Sequence, residues 1–261
     1  MSKLFLLAFL LFSHLSQASI DKADYLQLTR TLETTYAEQI RSLGGKLKFT
    51  LKESTDSPNA FAAKRVDGTW EVTVVETLLS LKEQTKSTLG IILCHEIGHF
   101  LGGEPYVVGI QLTPAVRSRA PKKMSCEGQA DYFATSDCIK NLGQKLPDLF
   151  SDNQGLLNPS MAEECNQNYE DQEKKNQCLE TLVASHQTVL VYQKMLQAMN
   201  VPSGFFGRIE NERSDRTLNH VGEYPSLDCR YQTFINGTLC SGLSENECND
   251  AKWARPACWF L

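Results

Sequence analysis

The chain has 261 residues, 41% of them hydrophobic and 22% charged, enough for one large domain or two small ones and too apolar for a disordered protein. Its net charge of −5 and its pI near 5.6 give no basis for a nucleic-acid or anionic-membrane partner.

The N-terminus reads as a secretory signal. Lys3 is followed by Leu4 to Phe12 without a polar residue, and Ser16-Gln17-Ala18 puts small residues where a signal peptidase inspects. Cleavage is expected after Ala18, so residues 1–18 are set apart. The apolar run is too short to span a bilayer. The mature chain is expected to be soluble, without stable membrane insertion, and periplasmic or secreted. Nine cysteines suit an oxidising compartment, and their odd number leaves at least one unpaired. Cys94, inside an apolar run, is the expected buried free thiol. The cysteine spacings lack the close C-x2-C pairs of structural zinc sites.

Apolar residues at helical spacing, Tyr25, Leu26, Leu28, Leu32, Tyr36 and Ile40, predict a long helix over 20–42, stopped by Gly44-Gly45. Lys46–Leu51 and Asn59–Ala63 read as strands. Asp67-Gly68 is a hairpin turn before a third strand, Trp70–Val75. A short helix near Glu76–Glu83 leads into a longer one over 86–101, ended by Gly102-Gly103. Cys126–Lys140 reads as a helix, 141–160 as loop, 161–172 as polar and helical, and Cys178–Met199 as an amphipathic helix. Residues 204–261 carry four cysteines and few helical patterns.

The helix over 86–101 contains His95-Glu96-Ile97-Gly98-His99. On a helix, His95 and His99 lie one turn apart on one face, the spacing two imidazoles need to hold one zinc ion. Glu96 then sits beside the metal, placed to take a proton from water. The flanking residues are apolar almost all round, so the helix is buried, and two histidines and a glutamate buried without partners are costly. Glu127 and Asp131 lie one turn apart on the next helix. Glu127 is the candidate third ligand. Asp131 is the candidate acceptor for the N–H of a ligating imidazole, foremost His95.

These features, in order, resemble a gluzincin metallopeptidase of the HtpX and CAAX-prenyl-protease type. Asn59-Ala60-Phe61-Ala62 resembles the family's strand before the active site. His95 to His99 is the zinc motif, and Glu127 with Asp131 resembles its E-x-x-x-D helix. Tyr224-Pro225-Ser226-Leu227-Asp228-Cys229-Arg230 is similar to an H-P-S-x-x-x-R segment. The resemblance covers about residues 45–230 and implies an α+β fold: a mainly helical zincin-like core over 19–203 with a small antiparallel sheet. The resemblance further implies peptide hydrolysis with one zinc ion and a protein or peptide substrate. Residues 204–261 read as a cysteine-rich segment, either completing or covering that core or serving as a recognition or inhibitory module.

The chain departs from the family in two places. The short spacing from His99 to Glu127 suggests a core without a membrane hairpin, and Tyr224 stands where the family has histidine. Tyr224, His220 and Arg230 are the candidates for steadying an oxyanion. Arg230 has further alternative roles: orienting the active-site carboxylates, binding substrate backbone, or forming a structural ion pair. Trp70, Val72 and Val74 mark a strand on which an extended substrate could add as another strand. The alternatives are a non-catalytic, metal-stabilised binding or chaperone-like protein, and a zinc hydrolase acting on a non-peptide bond. Asn236-Gly237-Thr238 is a glycosylation sequon, meaningful in a eukaryotic secretory path.

Overall fold

The computed structural model describes residues 20–106, 123–153, 158–201, 225–241, 248 and 254–259. His220, Tyr224 and the signal segment lie outside these residues. The fold is α+β, mostly helical, with a small mixed sheet.

Helix α1 (Lys22–Ser42) is capped by Asp21, whose carboxylate accepts from the Asp24 N–H. Its buried stripe of Tyr25, Leu28, Leu32, Tyr36 and Ile40 recurs every three or four residues and faces the core, while Leu26 stays half-exposed. Strands β1 (Lys46–Lys52), β2 (Ala60–Lys64) and β3 (Thr69–Val75) form a sheet in the order β1-β3-β2. Strand β2 pairs antiparallel with β3 through the predicted hairpin, and β1 pairs parallel with it. The sheet is therefore mixed rather than antiparallel. Buried Trp70, Val72 and Val74 sit on the central strand, whose backbone is hydrogen-bonded on both sides. They cannot present an edge to a substrate, which corrects the expectation for that strand. The outer strands among the described residues are β1 and β2. After β3 a single 3-10 turn over Glu76–Leu78 replaces the expected short helix.

Helix α2 (Lys86–Leu101) opens on a capping box. The Thr85 side chain accepts from the Thr88 N–H, and the Thr88 hydroxyl accepts from the Thr85 N–H. Fifteen of its sixteen residues are buried, so this helix is the centre of the core. Helix α3 (Glu127–Phe133) continues through a π-helical stretch, Ala134–Cys138, into α4 (Ile139–Lys145). Helices α5 (Pro159–Asn168) and α6 (Gln172–Ala198) follow.

Helix α7 (Leu227–Cys240) lies in the segment expected to have little helix, and it packs against α3, the π-helical stretch and α6. Asn236 is buried there and its side-chain amide donates to the Ala254 carbonyl. A glycan has no room at that sequon in the folded chain.

The disulfides are Cys94–Cys138, Cys165–Cys178, Cys229–Cys258 and Cys240–Cys248, and Cys126 is free and buried. Cys94 is thus not the free thiol. It faces the π-helical stretch from the core side of α2, where Cys138 meets it.

Candidate active site

Helices α2 and α3 cross at Gly98. A Cβ added there would lie 2.7 Å from the Ala130 carbonyl oxygen and 2.8 Å from the Ala130 Cα, so only glycine permits this approach. The close crossing brings His95 and His99 against Glu127 and Asp131.

The ring nitrogens then sort themselves. His95 Nδ1 is 2.7 Å from Asp131 Oδ1, and His99 Nδ1 is 2.8 Å from the Ser125 carbonyl oxygen. A carboxylate and a carbonyl accept, so both Nδ1 atoms donate. Both Nε2 atoms therefore face Glu127, at 3.3 Å for His95 and 3.6 Å for His99. Donor atoms of His95, Glu96 and His99 also lie within 4.8 Å of one another.

Asp131 is fully buried. Arg230 on α7 grips it with two hydrogen bonds, Nε to Oδ2 at 2.7 Å and Nη2 to Oδ1 at 2.6 Å. The guanidinium rests 4.0 Å above the Tyr192 ring on α6. The ion pair that Arg230 forms is thus with the carboxylate that accepts from His95 Nδ1. Ser125 is tied to the end of α2 by its N–H to the His99 carbonyl and by its hydroxyl to the Gly103 carbonyl.

The electrostatics favour a cation. Burial opposes the His95 imidazolium, but Asp131 and Glu127 outweigh it and raise its pKa to about 10. Burial alone would raise Glu127, but His99, His95 and Arg230 hold its carboxyl at about 2. Glu127 Oε2 is buried without a hydrogen-bond partner. The cluster thus pulls in positive charge, orients two imidazoles by their far nitrogens and turns their near nitrogens toward a carboxylate that holds no well-formed hydrogen bond at Oε2. Two nitrogens and a carboxylate are a donor set that fits zinc. Glu96 is pushed up by burial, partly offset by His95 and His99. That is the direction that makes a carboxylate a better proton acceptor.

The four side chains sit at the foot of a cavity of about 490 Å³. Its other walls come from Asn59 and the start of β2 at Ala60–Ala62, from Met195 on α6 and Met199 just past its end, and from Met124, with Leu227 and Arg230 of α7. Sequence reasoning missed Ser125 and Tyr192. Ser125 acts through its backbone, which has no residue-type signature. Tyr192 sits on the buried face of α6 and reads as ordinary core.

Residues 26–117 match peptidase family M48. The match runs from α1 through the whole of α2, including His95, Glu96 and His99, and stops before Glu127. It supports an M48 zincin-type metallopeptidase, with which the HtpX and CAAX-type resemblance is consistent. M48 peptidases are zinc-dependent in general, and the grouped His95, Glu96 and His99 agree with that. No curated protein and no solved structure matches the chain. No helix among the described residues is long and apolar enough to cross a membrane.

Proposed function

We propose that the protein is a zinc-dependent endopeptidase that hydrolyses peptide bonds in exported proteins. The observation that carries this reading is the pair of imidazole Nε2 atoms converging on the buried Glu127 carboxylate at the cavity. His95, His99 and Glu127 would hold the ion. Zinc, when bound, polarises a carbonyl and makes a water more acidic.

Glu96 takes the proton of the attacking water and returns it to the leaving amine. Asp131 fixes the His95 ring, and Arg230 fixes Asp131, so Arg230 is a positioning residue in this scheme. His220 and Tyr224 remain the candidates for donating to the oxyanion. Strand β2 lines the cavity with Ala60 to Ala62, and its outer edge suits an extended peptide. The signal-like N-terminus and four disulfides support an extracytoplasmic setting, periplasmic or secreted.

Incubating the zinc-loaded chain with a mixed peptide library tests the reading. New termini that vanish on chelation are expected. Zinc binding with an untouched library would leave a metal-stabilised binding protein or a hydrolase of another bond.

A further inference from the structure

The last described residues pack against α3 and α7, the helices that carry Glu127 and Arg230. Trp259 is fully buried, among the largest such side chains in the chain. Its indole lies flat over Gly128, the residue after Glu127, where an added Cβ would meet the ring at 2.5 Å. The indole N–H donates to the Thr233 hydroxyl on α7 at 2.7 Å, one turn beyond Arg230. Cys258, beside it, is bonded to Cys229, the residue before Arg230. The ring also meets Tyr132 of α3 edge-on, at 6.0 Å between centroids. The pair at 258–259 therefore touches both helices that complete the site, each within one turn of a site residue.

We propose that Cys258–Trp259 is a positioning wedge that sets Glu127 and Arg230 against the two histidines, so that the metal site forms with its full affinity only when the C-terminal segment is docked. Glu127 is the first residue of the helical run 127–145, in a terminal turn whose N-cap, Cys126, supplies no side-chain hydrogen bond, so that turn has no cap of its own to hold it. On one side Gly98 lets it press on α2. On the other Trp259 backs it, and Gly128 is what admits the indole. The covalent tie and the indole hydrogen bond hold the wedge to α7. A ligand that must be placed within a few tenths of an ångström needs such a backing. This inference rests on the zinc reading of the site.

The test uses the full chain and two readouts: zinc affinity by competition with a chromophoric chelator, and amide hydrogen exchange in the metal-free protein. Trp259→Ala should weaken zinc binding tenfold or more, the range seen when groups that orient metal ligands are lost. Trp259→Phe, which keeps a ring over Gly128, should recover most of that loss. Gly128→Ala should mimic Trp259→Ala, and the double variant should be less impaired than the product of the two. Exchange at the amides of 127–131 should quicken in Trp259→Ala while α2 stays protected.

Wild-type zinc affinity in Trp259→Ala, together with a lower unfolding temperature, would reduce Trp259 to plain core and overturn the proposal. If the wild-type chain binds no zinc, the functional reading fails. The wedge is then judged by exchange alone: selective loosening of α3 supports it, and uniform loosening overturns it.

Discussion

Replacing Gly98 by alanine places a methyl group in the crossing of α2 and α3. The added carbon would stand 2.7 Å from the Ala130 carbonyl oxygen, where a relaxed carbon–oxygen contact needs about 3.3 Å. The atoms on the far side are backbone, so the helices must part by about 0.6 Å, with no side chain free to turn away. Metal–ligand distances tolerate about 0.2 Å. Helix α3 carries Glu127 and Asp131, so the shift removes the third donor and misaligns the acceptor of His95. Overpacking of this kind costs about 1–3 kcal/mol. At about 2–4 °C per kcal/mol for a chain of this size, the melting temperature should fall by several degrees. Zinc affinity, measured against a competing chelator, should fall at least tenfold, more than the loss of stability alone explains. A Gly98→Ala protein with wild-type zinc affinity would refute the claim that this crossing sets the site.

Three further outcomes follow from other contacts in the fold. Arg230→Met leaves the buried Asp131 carboxylate without its bidentate partner and should cost about 3–5 kcal/mol in a denaturant titration, with Arg230→Lys recovering only part of it. Glu71 accepts from the Thr50 hydroxyl and from Arg65, and these with Lys48 outweigh desolvation and hold its carboxyl at about 2, below the ordinary 4.5. Its contribution to stability is complete above the ordinary carboxyl range and is lost as the pH falls towards 2. Glu71→Gln should therefore flatten that part of the acid-unfolding curve. The Cys94–Cys138 bond closes a span of 44 residues, for which chain entropy predicts about 4 kcal/mol, and the double alanine variant should lose up to that amount in thermal unfolding under non-reducing conditions.

The site's centre was readable because each signal was local. The 86–101 helix announces itself by flanks that are apolar almost all round and by the double glycine at its end. The His95–Glu96–His99 spacing then fixes which residues share a face. The 127–131 spacing likewise puts two carboxylates on one helical face.

What stayed hidden depends on distant partners. Helix α7 contains Thr233, Asn236, Gly237 and Thr238, all poor helix formers, and it is held by packing against Thr135 and Tyr132 at Gly237. No pattern within Trp70–Val75 tells whether a strand has one neighbour or two, so its central place was not legible. The pairing of Cys94 with Cys138 depends on how α2 meets the π-helical stretch, and burial alone fits a free thiol as well as a bridge. The Ser125 carbonyl and the seat of Trp259 over Gly128 are backbone matters, invisible to residue type.

Zinc content and proteolysis measured together on wild type and Glu96→Gln bear most directly on the central claim. The account predicts one zinc per chain in both, casein cleavage by the wild type, and a loss of at least about a hundredfold in the variant, the lower end of what a general base contributes. A Glu96→Gln protein that keeps its zinc and cleaves as fast as wild type would contradict it.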